Sequence, residues 1–543
     1  MRIDTTDWSA RLTGGARIEA EESAARIAEF ALRPQAGALS VPDWVGAGVE
    51  IDLEELDGAG AVQQTTRLFT GLMDLPDYDR TQQVIRCRAT DALQDRQEGM
   101  TQAAIETEIG GLWSEALFDA EADGWTYTQD RMSSQPYAFD LDAYGTPRLT
   151  AWATKALPDF TLTADDFLYE SLAVELLPRR DLTNSITRTL QYRYNRRRHR
   201  THTLGWDWQN GALTDFCDWL SESTTLPNRG MVLDAIEGTG WWIDTISFGQ
   251  LPASGFNLCG NGVAWVISEE TRAELVFNFS ANLYKRIAHP VTEVYELTLQ
   301  APQSITQYGT LSAQTRGALQ TESETDDWEE VEDAFLPAGG YTDGIGDWVL
   351  DMDDTAARDN AIQTALEVDR TTILAAHRRN RVNATLPVAP GIDLPHTVRV
   401  DDGQVRAQGK VALMAHVFDL DAGRAVTELA LAVSRTGPQA PGTETPRTAP
   451  TPPDTTPAVS QPPSSSALNT QIGGRQASPA YDPDQNGYSG NYSVLEPNGV
   501  IYPVRFLAET PQIESEVRSN VEGTAQATYD MNIPQDLLEI TVA

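Results

Sequence analysis

Basic residues are scarce in this chain of 543 residues, which carries 40 Lys and Arg against 79 Asp and Glu. The resulting formal net charge of −39 repels the phosphate backbone of nucleic acids. This balance argues against a DNA-binding regulator. It is compatible with a protein past which DNA slides, because a negatively charged wall keeps DNA from adhering.

Cysteine is also rare. Cys87, Cys217 and Cys259 are odd in number, lie far apart and form no CxxC pair. A disulfide framework or a structural zinc site is therefore disfavoured, and folding in a reducing cytoplasm is the simplest interpretation. Cys87 falls on the apolar side of a predicted strand, which indicates a buried structural thiol.

Long apolar runs are missing. None approaches the ~20 residues that span a bilayer, so we expect a soluble product without stable membrane insertion. The chain begins Met1-Arg2-Ile3-Asp4, and the early acid followed by no apolar core is unlike a signal peptide. We expect the protein to be made in the cytoplasm.

The motifs of common enzymes are absent as well. The sequence has no Walker A loop, no GxGxxG after a strand, no HExxH and no GxSxG. Paired carboxylates for glycoside cleavage cannot be argued, because 79 acidic residues make chance pairs common. We therefore predict no enzyme, no catalytic residue, no cofactor and no metal, and a cell-wall hydrolase is the least favoured alternative.

What the sequence does contain is strand patterning, which predicts a mostly β fold with some α, of the α+β multidomain kind. In Val49-Glu50-Ile51-Asp52-Leu53-Glu54, apolar and acidic residues alternate as in a half-buried strand. The predicted segments are a first small β-barrel domain (1–95), a mixed α/β middle region of one or two domains (96–300), a second β-barrel domain with a helix near 355–380 (301–435), a proline-rich linker (436–468) and a small β-rich C-terminal domain (469–543).

Several finer predictions can be compared with a structure. We place Leu68, Thr70 and Leu72 in one inner row, and Ile85, Cys87 and Ala89 in another. We predict helices over 101–122, ending before Gly124, and over 211–223, 229–237 and about 354–380. For the last helix, acidic residues at the start and Arg378, Arg379 and Arg381 at the end complement the helix dipole.

The two β segments resemble each other internally. Val49-Glu50-Ile51-Asp52 parallels Val398-Arg399-Val400-Asp401, and each is followed by an arginine and then a glycine, Arg67 with Gly71 and Arg406 with Gly409. An Asp-bearing turn and a final alternating strand close both. We therefore hypothesise two copies of one barrel, which unrelated strand orders would refute.

One basic run stands out, Asn195-Arg196-Arg197-Arg198-His199-Arg200. It could pair with the protein's own carboxylates, with an acidic neighbouring subunit or with DNA, and the net charge favours an acidic protein surface over DNA. His199 and His202 beside Asp207 have a spacing that two metal ligands could use, but the surrounding positive charge disfavours a cation.

Two features mark the C-terminal part. Asp482-Pro483-Asp484-Gln485-Asn486 resembles half of a calcium loop, but Ser493 stands where such loops place a bidentate Glu, so a polar turn is favoured. Tyr481, Tyr488 and Tyr492 could bind sugars in a receptor-binding protein, or pack in turns. The linker, with nine prolines, could span close to ~100 Å if extended.

A series of stretches over roughly 1–435 forms a diffuse pattern. They are Glu21-Glu22-Ser23-Ala24-Ala25-Arg26-Ile27-Ala28-Glu29-Phe30, Trp44-Val45-Gly46, Val49-Glu50-Ile51-Asp52, Phe69-Thr70-Gly71-Leu72-Met73-Asp74, the arginine strand (181–200), Tyr284-Lys285-Arg286-Ile287-Ala288-His289-Pro290-Val291-Thr292-Glu293 and the strands after Arg381. Read in order, these stretches resemble the central hub proteins of bacteriophage tail tips and baseplates.

The resemblance implies a homotrimeric ring in the virion tail. Two barrels per chain would then match a sixfold tail tube or distal tail protein above, while a threefold tip or spike would lie below. The acidic channel would let genome DNA through during ejection and host cell entry, without specific binding. Residues 436–543 have no counterpart in this scheme, and the linker could strap a tip protein. A receptor-binding adhesin of the same tail is the main alternative.

Overall fold

The computed structural model describes residues 1–34, 40–168, 170–207, 229–249, 278–320, 327–436, 443–457, 459–471, 488–495 and 501–541. Strands dominate these residues, as the sequence predicts. The helices are α1 Leu93–Glu98, α2 Gln102–Ile109, α3 Gly124–Ser133, α4 Arg229–Ile236, α5 Pro302–Tyr308, α6 Thr355–His377 and α7 Ser515–Arg518. None of the described helices is long and apolar enough to cross a membrane.

The strands fall into an N-terminal group, a middle group and a C-terminal group. The first group is β1 Arg2–Ile3, β2 Thr6–Asp7, β3 Leu12–Glu21, β4 Ile27–Leu32, β5 Gly48–Leu56, β6 Val62–Asp79 and β7 Val84–Thr90. The second is β8 Tyr137–Leu141, β9 Pro147–Ala151, β10 Phe160–Thr163, β11 Ala173–Glu175, β12 Ser185–Asp207, β13 Trp241–Gly249, β14 Asn278–Gln300, β15 Ser312–Gln320, β16 Tyr341–Thr342 and β17 Trp348–Asp351. The third is β18 Asn380–Pro387, β19 Thr397–Asp401, β20 Val405–Asp419, β21 Arg424–Val433, β22 Ser465–Ala467, β23 Asn469–Gln471, β24 Tyr488–Leu495, β25 Ile501–Leu507, β26 Val521–Asp530 and β27 Leu538–Ile540.

The largest sheet joins the two ends of the chain. Its main path runs β11-β18-β21-β20-β3-β4-β7-β6-β5-β1-β2, and β10, β19 and β27 attach beside it. The junction is β3, which pairs with β20 through Ile18 opposite His416 and with β4 through Ile18 opposite Ala28. The two segments predicted as separate barrels therefore share one continuous sheet.

A second sheet is built on the longest strand pair. β12 and β14, of 23 residues each, pair antiparallel along their full length, from Ser185 opposite Gln300 to Asp207 opposite Asn278. Helix α6 packs on this sheet, and Leu190, Tyr295, Ile362 and Leu366 are fully buried between them. This sheet forms the core of the middle region.

The inner row of β7 is confirmed, because Ile85, Cys87 and Ala89 are all buried. Burial raises the pKa of the Cys87 thiol to about 12, as a structural cysteine requires. In β6 the predicted row is right at Leu68, which is buried, but wrong at Thr70 and Leu72, which are only half-buried while Phe69 is buried. The cause is a register shift against β5 between Ile51 and Asp52, which reverses the faces beyond it.

The predicted helix over 101–122 is wrong beyond Ile109. Gly110 and Gly111 both have positive φ, 65° and 76°, which ends the helix. Gly124, expected to stop a helix, instead begins α3, with the Asp123 side chain accepting a hydrogen bond from the Thr126 N–H. A β-carbon at Gly124 would collide with the Gln97 carbonyl, so close backbone packing selects glycine there.

The long helix near 354–380 is confirmed as α6. The Asp354 side chain accepts a hydrogen bond from the Ala357 N–H at its start. At its end, the Arg378 guanidinium makes two bonds to the Glu22 carboxylate, at 2.6 and 2.8 Å. This arginine thus ties the helix to the loop between β3 and β4, rather than serving the helix dipole alone.

Several strands pair outside the segment in which the sequence places them. β15 and β17, from the segment 301–435, pair with β12 of the middle region. β26, from the segment 469–543, pairs with β14, and β27 pairs with β20. Alternation in sequence identifies a strand but not its neighbour, which explains these differences. β23, β24 and β25 form a small sheet of their own.

The proline-rich linker lies along the protein's own body where it is described. Its strand β22 pairs parallel with β12 through Ser465 opposite Thr203. The Arg447 guanidinium bonds the Glu367 carboxylate of α6 at 2.5 Å, and Thr445 donates its N–H to the Asp530 carbonyl. The described linker residues therefore bind the chain itself.

Candidate functional site: the repeated sheet unit and the arginine strand

Two groups of four strands in the largest sheet have the same order. In the first unit, β4 pairs with β7, β7 with β6 and β6 with β5. In the second unit, β18 pairs with β21, β21 with β20 and β20 with β19. The two strand orders therefore match. Unrelated strand orders would have refuted the hypothesis of an internal repeat, and the observed orders support it.

The equivalence extends to single residues. Val49 lies opposite Gly71 in the first unit, and Val398 lies opposite Gly409 in the second. Beyond these pairs, the Arg67 guanidinium bonds the Asp52 carboxylate across the strands at 2.5 Å. The matching Arg406 and Asp401 form the same cross-strand ion pair at 3.3 Å. These are the residues that the sequence comparison paired.

Irregularities repeat too. The register between β6 and β7 shifts between Met73 and Leu75, three residues after Gly71. The register between β20 and β21 shifts between Val411 and Leu413, three residues after Gly409. In the turns, Asp79 accepts N–H bonds from the residues two and three positions ahead, and Asp419 does the same. Bulges and Asx turns at matching positions indicate one unit present twice.

The basic run forms the middle of β12, with Arg196, Arg198 and Arg200 on one buried face, each at most 5% exposed. All three guanidinium groups meet carboxylates of this chain. The Asp347 carboxylate receives two bonds from Arg200, at 2.9 and 3.1 Å, and one from Arg198 at 3.4 Å. Arg198 also pairs with Asp343 at 2.5 Å. All three arginines are therefore paired with carboxylates of this chain. For them, the prediction of a contact with a neighbouring acidic surface is wrong.

Arg196 connects this face to the linker. Its guanidinium makes two bonds to the Asp351 carboxylate, at 2.5 and 3.0 Å. It also donates to the Thr455 carbonyl at 2.8 Å and to the Thr455 hydroxyl at 3.0 Å. Burial lowers the pKa of Arg196, but hydrogen bonds to Asp351 and its charge more than offset this, and the net pKa is raised. Arg196 therefore stays charged and joins β12, β17 and the linker.

The opposite face of the run is aromatic. The guanidinium of Arg197 lies over the Trp328 ring, 5.4 Å from its centre, and that of Arg286 lies 4.0 Å from the same ring. The His199 ring stacks on Tyr284 with centres 5.2 Å apart. Burial, aided by the charge of Arg286, lowers the pKa of His199 to about 4. This histidine is therefore neutral at physiological pH.

His199 and His202 do not converge on a metal. Three positions apart on a strand, they point to opposite faces. The His202 ring nitrogens contact the Pro463 carbonyl at 3.1 Å and the Ser466 hydroxyl at 2.8 Å, both on the linker. Among the residues that the structure describes, no cluster of three or more His, Cys, Asp or Glu side chains is positioned to hold a metal ion.

The remaining candidates fall outside the described residues. This applies to Asp482–Asn486 and Tyr481, to Cys217 and Cys259, and to the side chains of Asp207, Tyr488 and Tyr492. The calcium and sugar-binding alternatives therefore stay sequence-based hypotheses. The predicted helix over 211–223 also lies outside the described residues.

A buried charge network was missed by sequence reasoning. The Asp393 carboxylate, between β18 and β19, bonds Arg26 at 2.8 Å and Arg148 at 2.7 Å, and Arg148 also bonds Asp140. Burial raises the pKa of Asp393, but Arg26 and Arg148 outweigh it and the pKa falls to about 2. Burial of Asp140, partly offset by Arg148, raises its pKa to about 6. The network joins both repeated units to β8 and β9 through residues scattered over the sequence.

No protein-family model matches the chain, and no curated protein matches it. Among solved structures, it is similar to a tail protein from Neisseria meningitidis MC58, with 11% identity and a TM-score of 0.36 over 78% of this chain and 94% of that one. A 43 kDa tail protein of prophage MuSo2 from Shewanella oneidensis has 11% identity and a TM-score of 0.34 over 79% and 96%. A prophage tail protein from Listeria monocytogenes EGD-e has 8% identity and a TM-score of 0.28 over 77% and 87%. TM-scores below 0.5 establish neither a shared fold nor a function.

Proposed function

We propose that this chain is the structural hub of a phage tail tip or baseplate. Three copies form a ring that joins a sixfold tail tube to a threefold tip and lines the channel for genome ejection. The observation that carries the proposal is the residue-level equivalence of the two units, seen in Val49 with Gly71 and Val398 with Gly409. Three chains with two such units each supply six equivalent positions on threefold symmetry.

Two further features support this role. The units are held in one sheet by β3, and the buried network at Asp393 fixes their relative orientation with charged hydrogen bonds. A hub needs such rigidity, because two mobile units could not imitate neighbouring subunits of a sixfold ring. The net charge of −39 also suits a wall past which DNA moves without adhering.

The oligomeric mass tests this proposal. Analytical ultracentrifugation of the full chain should give a mass of three 59.5 kDa protomers, independent of salt. A stable monomer at micromolar concentration would refute the ring. We also propose that the chain is not an enzyme. A zymogram on host cell walls tests this, and clearing by the purified chain would contradict it.

A further inference from the structure

The two repeated units differ at one edge. In the second unit, β27 covers the outer edge of β20, with Ile540 opposite Val405 and Leu538 opposite Ala407. In the first unit, the β6 residues equivalent to Arg406 and Ala407 of β20 are Arg67 and Phe69, judged by their partners on the neighbouring strand. Within the described ranges, β5 is the only strand that pairs with β6 before Leu72. Among the residues that the structure describes, the first unit therefore has no counterpart of the strand that completes the second.

The other edge differs in the same sense. In the second unit, β10 pairs along β19 from Val398 to Asp401. In the first unit, β1 covers only Val49 and Glu50 of β5. The strand pair β5–β6 thus projects as an arm whose outer part, Glu54 to Thr65, is exposed apart from the half-buried Asp57. Open strand edges carry unpaired N–H and C=O groups that readily accept another strand.

An apolar cavity lies next to the uncovered edge. Leu68 of β6 lines it together with Ile51 and Leu53 of β5, and its volume is about 140 Å³. In the second unit, Leu538 of β27 is buried in the core, at 7% exposure. The completing strand of the second unit therefore carries an apolar side chain into the core, while the first unit keeps a cavity of that scale beside its open edge.

We propose that the edge of β6 from Val62 to Phe69 binds a short extended segment of another protein by strand addition, with an apolar side chain in this cavity and Lys or Arg residues beside it. The charge of the arm selects the partner. Residues 48–72 hold five carboxylates (Glu50, Asp52, Glu54, Glu55 and Asp57) against the single Arg67. Since this chain carries −39 overall, a basic partner is favoured over a second copy.

The test uses a synthetic peptide with the sequence of residues 537–542 and two lysines at each end. Amide hydrogen exchange should show protection at 62–69 of the full chain, and fluorescence anisotropy should show saturable binding. The double variant E54K/E55K should weaken binding about tenfold, because charge attraction is lost at exposed positions. The matched double variant E121K/E330K, reversed at exposed positions elsewhere, should bind as the unchanged chain does. A peptide with a central proline should not bind, because it cannot pair.

Several outcomes overturn the proposal: no binding, protection at 405–407 instead of 62–69, or equal loss in both double variants. Protection of 62–69 without peptide, rising with protein concentration, would assign the edge to a second copy instead. None of these results depends on the tail role, so failure here leaves the trimer test untouched, and the reverse also holds.

Discussion

Gly71 and Gly409 occupy the same position in two equivalent strand pairs. Each lies opposite a valine, and a β-carbon on either would collide with a backbone carbonyl of the neighbouring strand, that of Thr90 or of Ala432. The repeat therefore preserves a close backbone approach as well as a strand order. Because this close approach requires glycine, both units carry a glycine at the same position, and the sequence pattern reveals the repeat there.

Alanine at either glycine should destabilise the protein by a similar amount. We expect G71A and G409A each to lower the free energy of unfolding by about 1–3 kcal/mol, because the strands must move apart. G205A on β12 is the matched control, since a β-carbon there meets no atom within 4 Å. Urea denaturation measures all three, and an unchanged midpoint for G409A alone would argue against equivalence.

Replacing Asp347 should be costly. D347N removes the negative charge that Arg198 and Arg200 share while all three side chains are at most 5% exposed. Leaving buried guanidinium groups undercompensated should cost about 3–5 kcal/mol of unfolding free energy. R86A breaks the pair of Arg86 with Asp79, whose side chains are 56% and 22% exposed, and should cost less than about 1 kcal/mol. If D347N and R86A lower the free energy of unfolding equally, the buried ion pairs of Arg198 and Arg200 do not have this structural role.

The linker contact can be tested at Thr455. T455V removes the hydroxyl that accepts from Arg196, and should lower the free energy of unfolding by about 1–2 kcal/mol. T451V, at an exposed linker position, should change it by less than about 0.5 kcal/mol. Thermal denaturation of both variants compares them, and if T455V matches T451V, the linker is not held at this place.

His289 should make the protein sensitive to acid. Burial, with the charges of Arg198 and Arg196, lowers its pKa to about 4 from 6.5. The unfolded chain therefore binds this proton first, and stability falls as the pH drops from about 6.5 to 4. The contribution is about 3 kcal/mol. Between pH 7 and pH 4, the free energy of unfolding of H289Q should fall by about 3 kcal/mol less than that of the unchanged chain, as measured in urea titrations. Identical pH profiles would contradict a neutral buried histidine.

Local patterns predicted much of this fold, and distant contacts explain the rest. The strand around Val49, the helix capped by Asp354 and the repeat at Gly409 follow from residues close in sequence. The misplacement of Thr70 and Leu72 follows from one register shift that alternation alone does not reveal. The carboxylates that bind Arg198 lie more than 140 residues away, and nothing in their local sequence marks them as partners.

In the proposed hub, six equivalent units lie on a threefold ring. Electron cryomicroscopy of the assembled chain tests it most directly, because symmetry and repeat are seen in one image. We expect a threefold ring on which the units around Gly71 and Gly409 alternate as six similar lobes. A ring of any other order, or a threefold ring on which the two units lie at different radii, would contradict it.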